Sequence, residues 1–221
     1  MSQPVRRIEP EERRWRDCEP LDLPPTLVGV LSAFREHGYH GTTVRDVAAR
    51  VGVTVPALYY HHGSKQGMLV ALFDVAMDDL LLRLQLATAE TGDDPEARFR
   101  NIIEAIALHM TYRIDLASLD SELRYLDPAN RAHYAALRDE VQSLLAAAIN
   151  DGVRRGVFRV AYTTDTTRAL LGMLQAIANW YHIDGPITPQ QLAQRYVEIA
   201  LNTVDAGRAR RTPRSNRKAP R

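Results

Sequence analysis

Val44, Val47, Ala48 and Val51 recur at i, i+3, i+4 and i+7, and beyond them stand Thr54, Val55, Pro56 and Ala57, then Tyr59, Tyr60 and His61. The first spacing puts one apolar face on a short helix. Ala48 is small enough to let a second helix approach, and Gly52 permits a tight turn. Val53 and Leu58 are placed to plug the same small core. The two helices then cross steeply through a short turn, which is helix-turn-helix architecture. Such a crossing pushes the N-terminus of the later helix outward, where it can enter a DNA major groove.

Other chemistry is poorly supplied. There is no nucleophile–base constellation, metal set or phosphate loop, and Glu104 near His109 does not make one, so an enzyme is not expected. His61 and His62, with His37 and His40 nearby, invite a metal reading. No acidic or cysteine partner follows at ligand spacing, so neither a metal nor a cofactor is expected. Cys18 is the single cysteine, which excludes an intrachain disulfide.

The elements that must position the reading residues are helical, and no convincing alternating strand appears. Of 221 residues, 45% are apolar and 25% charged, enough to bury a sizeable core. Residues 1–23 hold five Arg and six acids and read as a flexible arm. Residues 24–70 form the helix-turn-helix head, with a net charge of +2. Residues 71–206 form an acidic body of net charge −7, and residues 207–221 a basic, disordered tail of +7. A basic head and tail on an acidic body are compatible with binding a polyanion. No apolar run is long enough to span a membrane and no signal peptide is seen, so a cytoplasmic protein is expected.

Proline, glycine and capping residues punctuate nine expected helices. The first opens at Pro24–Pro25 and ends at Gly38. The second covers about 43–51, with Thr43 and Asp46 in capping-box spacing, and the third runs from Thr54 to His61. The others cover about 64–89, 95–116, 119–126, 127–155, 164–183 and 188–206. The expectation is an all-α fold: a three-helix head, a bundle of about six helices, and a homodimer. The small residues Ala169, Gly172 and Ala176 suit close contact between copies, together with Leu192, Tyr196, Ile199 and Thr203 on the ninth helix; intramolecular packing is the alternative.

The run Thr42-Thr43-Val44-Arg45-Asp46-Val47-Ala48, Gly52-Val53-Thr54, Leu58-Tyr59-Tyr60-His61 and Ser64-Lys65 resembles the DNA-binding domain of TetR-family regulators over about fifty residues. That family is dimeric, and most members are repressors released by a small molecule. The resemblance implies DNA contact by Thr43, Arg45, Thr54, Val55, Pro56, Ala57, Tyr59, Tyr60, His61 and Lys65. Thr43 would offer its hydroxyl and N–H to a phosphate, and Lys65 would clamp another. Thr54 to Ala57 offer no bidentate fork, so base reading would fall to the Thr54 hydroxyl and to contact with thymine methyls. Arg45 and Lys65 from two heads give about four charged contacts, hence a salt slope near −4. One departure is His62, where the family usually has Phe; it must find a partner or stay exposed.

The family's ligand cavity lies between helices five to eight. The corresponding candidates are Phe99, Ile103, Ile106, His109, Met110, Arg113, Tyr134, Met173, Ile177, Trp180 and Tyr181, a set that core packing alone would also explain. The stretches Glu122-Leu123-Arg124, Leu137-Arg138-Asp139, Asn179-Trp180-Tyr181 and Asp184-Gly185-Pro186-Ile187 are similar to a subgroup controlling fatty-acid or sterol catabolism. Members of that subgroup respond to acyl-CoA thioesters, whose phosphates Arg113, Arg124 or Arg168 would meet. The resemblance therefore implies a repressor released from a near-palindromic operator by a small hydrophobic or acyl-CoA-like effector. A DNA-binding regulator controlled by a partner protein is the alternative, and a body without a cavity would favour it.

Overall fold

The computed structural model describes residues 15–17 and 20–206. Among them are helices α1 (Pro25–Gly41), α2 (Val44–Val51), α3 (Val55–His62), α4 (Lys65–Ala89), α5 (Pro95–Tyr112), α6 (Ile114–Ala117), α7 (Pro128–Arg154), α8 (Thr163–Gln175), α9 (Ile177–Trp180) and α10 (Pro189–Thr203). A 3₁₀ segment, Ser118–Tyr125, joins α6 to α7, and no strand occurs among the described residues. The basic tail, Cys18 and most of the N-terminal arm lie outside the described residues.

Helix starts follow local chemistry. Thr43, Thr54, Ser64, Asp94, Asp127 and Thr188 each accept a backbone N–H from the first turn of the helix they precede. Thr43 and Asp46 close a reciprocal box. Gly38 takes φ 69° and breaks the path of α1, after which one more turn runs on to Gly41. The buried Thr42 hydroxyl then seals this end by donating to the carbonyls of Ala33 and Gly38, at 3.0 and 2.8 Å.

In the body, α5 is the hub, packed against α4, α7 and α10. Phe99, Ile102, Ile103, Ala105, Ile106, Ala107 and Leu108 are all buried, so α5 is covered nearly all round, as a helix enclosed by others must be.

Three expectations are corrected. The fifth helix stops at Tyr112, not 116, because Arg113 (φ −107°, ψ 27°) leaves the helical path with its guanidinium on Asp79. The eighth stops at Gln175; a single turn follows, and Tyr181 departs in extended geometry with its ring buried and its hydroxyl donating to the Ile187 carbonyl. The arm is not loose throughout: Trp15 is buried, and Arg16 reaches Glu104 at 2.8 Å. Burial of a large aromatic ring and the Arg16 contacts offset the cost of ordering that short stretch.

Candidate DNA-reading head and effector chamber

Gly52, with φ 74° and ψ 29°, ends α2, and both its N–H and that of Val53 donate to the Ala48 carbonyl. This leaves only Val53 and Thr54 between Gly52 and α3. Val47 and Leu58 are fully buried in the core. Thr54 and Pro56 are exposed at the leading turn of α3, with Val55 and Ala57 half-buried beside them. Tyr59 is exposed and Tyr60 is 87% exposed, its ring edge-on to His61 at 5.2 Å. Arg45 and His61 are exposed as well. Nine of the ten sequence-derived reading residues thus lie on the α2–α3 segment, and the tenth, Lys65, opens α4.

Two of them are already engaged. Thr43 donates both its N–H and its hydroxyl to the Asp46 carboxylate, at 2.9 and 2.7 Å, so a phosphate here would have to displace that group. Lys65 donates through Nζ to the Thr42 carbonyl at 2.6 Å and lies 4.4 Å from the centre of the Tyr39 ring. Burial lowers the Lys65 pKa, against the opposing charge of Glu122. Arg35 and Arg50 are paired to Asp115 and Glu36. Among the described residues, Arg45 alone then remains as a free charged contact in the head, and two heads give an expected slope of log affinity against log salt near −2, not −4. Operator titration between low and moderate salt checks this. A slope near −4 returns Lys65 to the phosphates, and a steeper one implicates the basic tail or arm. His62 corrects its expectation: it is half-buried, its Nε2 has no partner among the described residues, and burial, with His61, lowers its pKa.

In the body, a chamber of about 320 Å³ opens between α4, α5, α6, the 3₁₀ segment, α7 and α8. Of the eleven candidates, Ile106, His109, Met110 and Tyr134 line it. The other seven do not. Phe99, Ile103 and Ile177 are core, Phe99 edge-on to Phe158 at 5.2 Å. Arg113 is buried on Asp79, Met173 is half-buried, Trp180 is 46% exposed, and Tyr181 is tied to Ile187. Arg124 and Arg168 are exposed and line no part of the chamber. Sequence reasoning missed the apolar wall of Phe73, Met77 and Leu80 from α4, and the polar residues Asp120 and Arg138. The i, i+4 spacing of Tyr134 and Arg138 was a usable signal for one shared face.

The polar side of the chamber is organised. Tyr134 donates to Asp120 Oδ1 at 2.8 Å. Burial raises the Asp120 carboxyl above its usual range, against the Tyr134 bond and the Arg138 charge. Behind His109 lies a buried cluster: Asp79 Oδ2 accepts from Arg113 Nε at 3.1 Å and lies 3.4 Å from His109 Nδ1 and 3.9 Å from Arg83. Chamber and head also meet through the 3₁₀ segment. Asp120 lines the chamber, while Tyr125 stacks on Tyr39 of the head at 5.6 Å and its carbonyl accepts from Gln66 at 3.0 Å.

Residues 30–72 match the family described as bacterial regulatory proteins, tetR family, and residues 92–204 match the tetracyclin repressor-like C-terminal domain. The chain belongs to the TetR family. This TetR-family chain is 29% identical over 176 residues to the transcriptional repressor KstR2 of Mycobacterium tuberculosis, covering 77% of the chain and 86% of that relative. It is 31% identical to the TetR-family regulator PfmR of Thermus thermophilus, with a TM-score of 0.74 over 80% of this chain and 97% of that one. In fold it is also similar to AibR solved with isovaleryl coenzyme A and operator DNA, at 24% identity and a TM-score of 0.68 over 85% and 97% of the two chains. It is thus a helix-turn-helix transcriptional regulator. Among the described residues no helix is long and apolar enough to cross a membrane.

Proposed function

We propose that this chain is a cytoplasmic repressor that binds a near-palindromic operator as a dimer and is released by a small hydrophobic or acyl-CoA-like effector. The observation that carries the reading is the chamber itself: α4 forms one wall of it, and the first turn of α4 fastens the reading head through Lys65. An effector that fits the released geometry better shifts α4 and with it the spacing of the two heads, which must stand about 34–36 Å apart to enter successive major grooves. A tenfold loss of operator affinity needs about 1.4 kcal/mol of such coupling. The AibR complex supports the effector class, and the KstR2 likeness supports repression. Copies would pair through α8 and α10, where Ile199 is 47% exposed on α10 and Trp180 stands beside α8. Control by a partner protein is the weaker reading, because the body is not filled.

Footprinting on the chain's own promoter region tests this, with and without acyl-CoA compounds. Two protected half-sites one helical turn apart, lost on adding an acyl-CoA, are expected. Protection that no acyl-CoA alters removes the effector class.

A further inference from the structure

A second cavity, of about 290 Å³, lies against the chamber on the side of α8 and α9. The two share Ala117, Asp120 and Gln175 as common wall, so they are neighbours parted by three side chains. Their linings differ in kind. The chamber is walled mainly by apolar side chains, whereas the second cavity presents the hydroxyls of Ser118 and Ser121 and the amides of Gln175 and Asn179 between small residues. No lysine or arginine lines it. The chamber volume is near the low end of the roughly 300–1,000 Å³ usual for small-molecule sites. At roughly 30 Å³ per group it holds on the order of ten carbon-sized groups. It therefore takes an acyl chain but not a whole coenzyme A thioester.

We infer that the second cavity is a subsite for an uncharged, amide-bearing arm, so that the effector lies as an acyl-pantetheine with its acyl chain in the chamber and its thioester carbonyl beside Asp120. This rests on the effector reading above and adds that recognition extends along the neutral arm and not to nucleotide phosphates. Ser118 and Ser121 already donate to the carbonyls of Asp115 and Ser118, at 2.9 and 3.2 Å, so their oxygens are left to accept, while the amides of Gln175 and Asn179 can donate and accept. Together these suit the alternating N–H and C=O groups of pantetheine. Burial pushes the Asp120 carboxyl up, against the Tyr134 bond and the Arg138 charge, so the shared wall suits an uncharged group better than a phosphate. The cavity is unlike the centre of a homodimer contact, which is predominantly apolar. Gly172 leaves the groove open, since a Cβ built there meets nothing within 4 Å.

The test uses the full chain, its operator and straight-chain acyl groups of about two to ten carbons, each as the CoA thioester, the S-acylpantetheine and the S-methyl thioester. Affinity is read by calorimetry and release by operator titration. For the best-fitting acyl group, the pantetheine compound is expected within about tenfold of the CoA compound, and at least about tenfold tighter than the methyl thioester. Ser121→Leu, on the 3₁₀ wall, is expected to remove the pantetheine gain while leaving methyl thioester affinity and sedimentation as in the parent. Gln175→Leu, from the α8 wall, should reduce the same gain. A pantetheine compound no tighter than the methyl thioester, or about a hundredfold weaker than the CoA compound, overturns the subsite and leaves the effector reading standing. If none of the CoA thioesters binds, both fall.

Discussion

Replacing Asp79 by alanine is expected to lower the stability of the chain by about 3–5 kcal/mol, because it strands buried charge rather than removing a surface contact. Asp79 is 3% exposed at its side chain, and so is Arg83; Arg113 is 6% exposed. Burial on its own would raise the Asp79 carboxyl, but His109 Nδ1, 3.4 Å away, and the charge of Arg113 outweigh it and hold the group well below the usual carboxylate range. Urea denaturation of Asp79→Ala measures the loss. Restoring part of it with Arg113→Met in the same chain separates stranded charge from lost packing.

The same cluster sets a pH dependence. Burial lowers the His109 pKa, against the pull of Asp79 and with the repulsion of Arg83 and Arg113. The unfolded chain takes up a proton on this histidine near pH 6.5, whereas the folded chain resists it. Stability is therefore full above that pH and declines below it, by at most about 1.4 kcal/mol per pH unit. The Asp79 contribution, from a depressed carboxyl, is present above roughly pH 3.9 and is lost as the solution is acidified further. His109→Gln should flatten the first descent. A urea midpoint unchanged between neutral pH and about pH 5 would contradict the assignment.

Leu58→Ala is expected to abolish operator binding while leaving the body intact. Leu58 is fully buried and is the only residue of α3 buried to that degree. Deleting a side chain of that size from a core costs about 2–5 kcal/mol, and the outcome depends on how well the site can collapse. Helices α2 and α3 have eight residues each and little else to hold their crossing. Gel-shift titration should show at least a tenfold loss, with hydrogen exchange accelerated in α2 and α3 but not in α5. Leu58→Met, which keeps volume, should restore binding. Operator affinity within twofold of the parent for Leu58→Ala would show that this plug does not hold the reading turn in place.

The head was legible because its instructions are local. Thr43 with Asp46, Gly52, Thr54 and Ser64 each act on backbone groups within a few residues, and all of them form as the spacing predicts. The boundaries that were missed answer to distant partners. Arg113 leaves α5 for Asp79, thirty-four positions earlier, and Tyr181 leaves the line of α8 to bury its ring. Apolar periodicity continues through both places, so it registers neither break. The chamber was hidden for a related reason. Helix α4 is apolar on several sides, with Met68, Leu69, Leu72, Phe73, Met77 and Leu80 all buried, and spacing does not say which of these face a space and which face a neighbour. The pairing of Lys65 with Thr42 was equally out of reach, since the acceptor is a carbonyl that every residue carries.

The 3₁₀ segment Ser118–Tyr125 is eight residues long, about twice the usual length for this geometry. Its turns are tighter and less well bonded than those of an α-helix, and it rises about 2.0 Å per residue where an α-helix rises 1.5 Å. Rewinding it would take up about 4 Å of chain. The segment is thus a strip of slack, moored at Asp120 in one compartment and at Tyr125 in the other, and rewinding it draws the two moorings together.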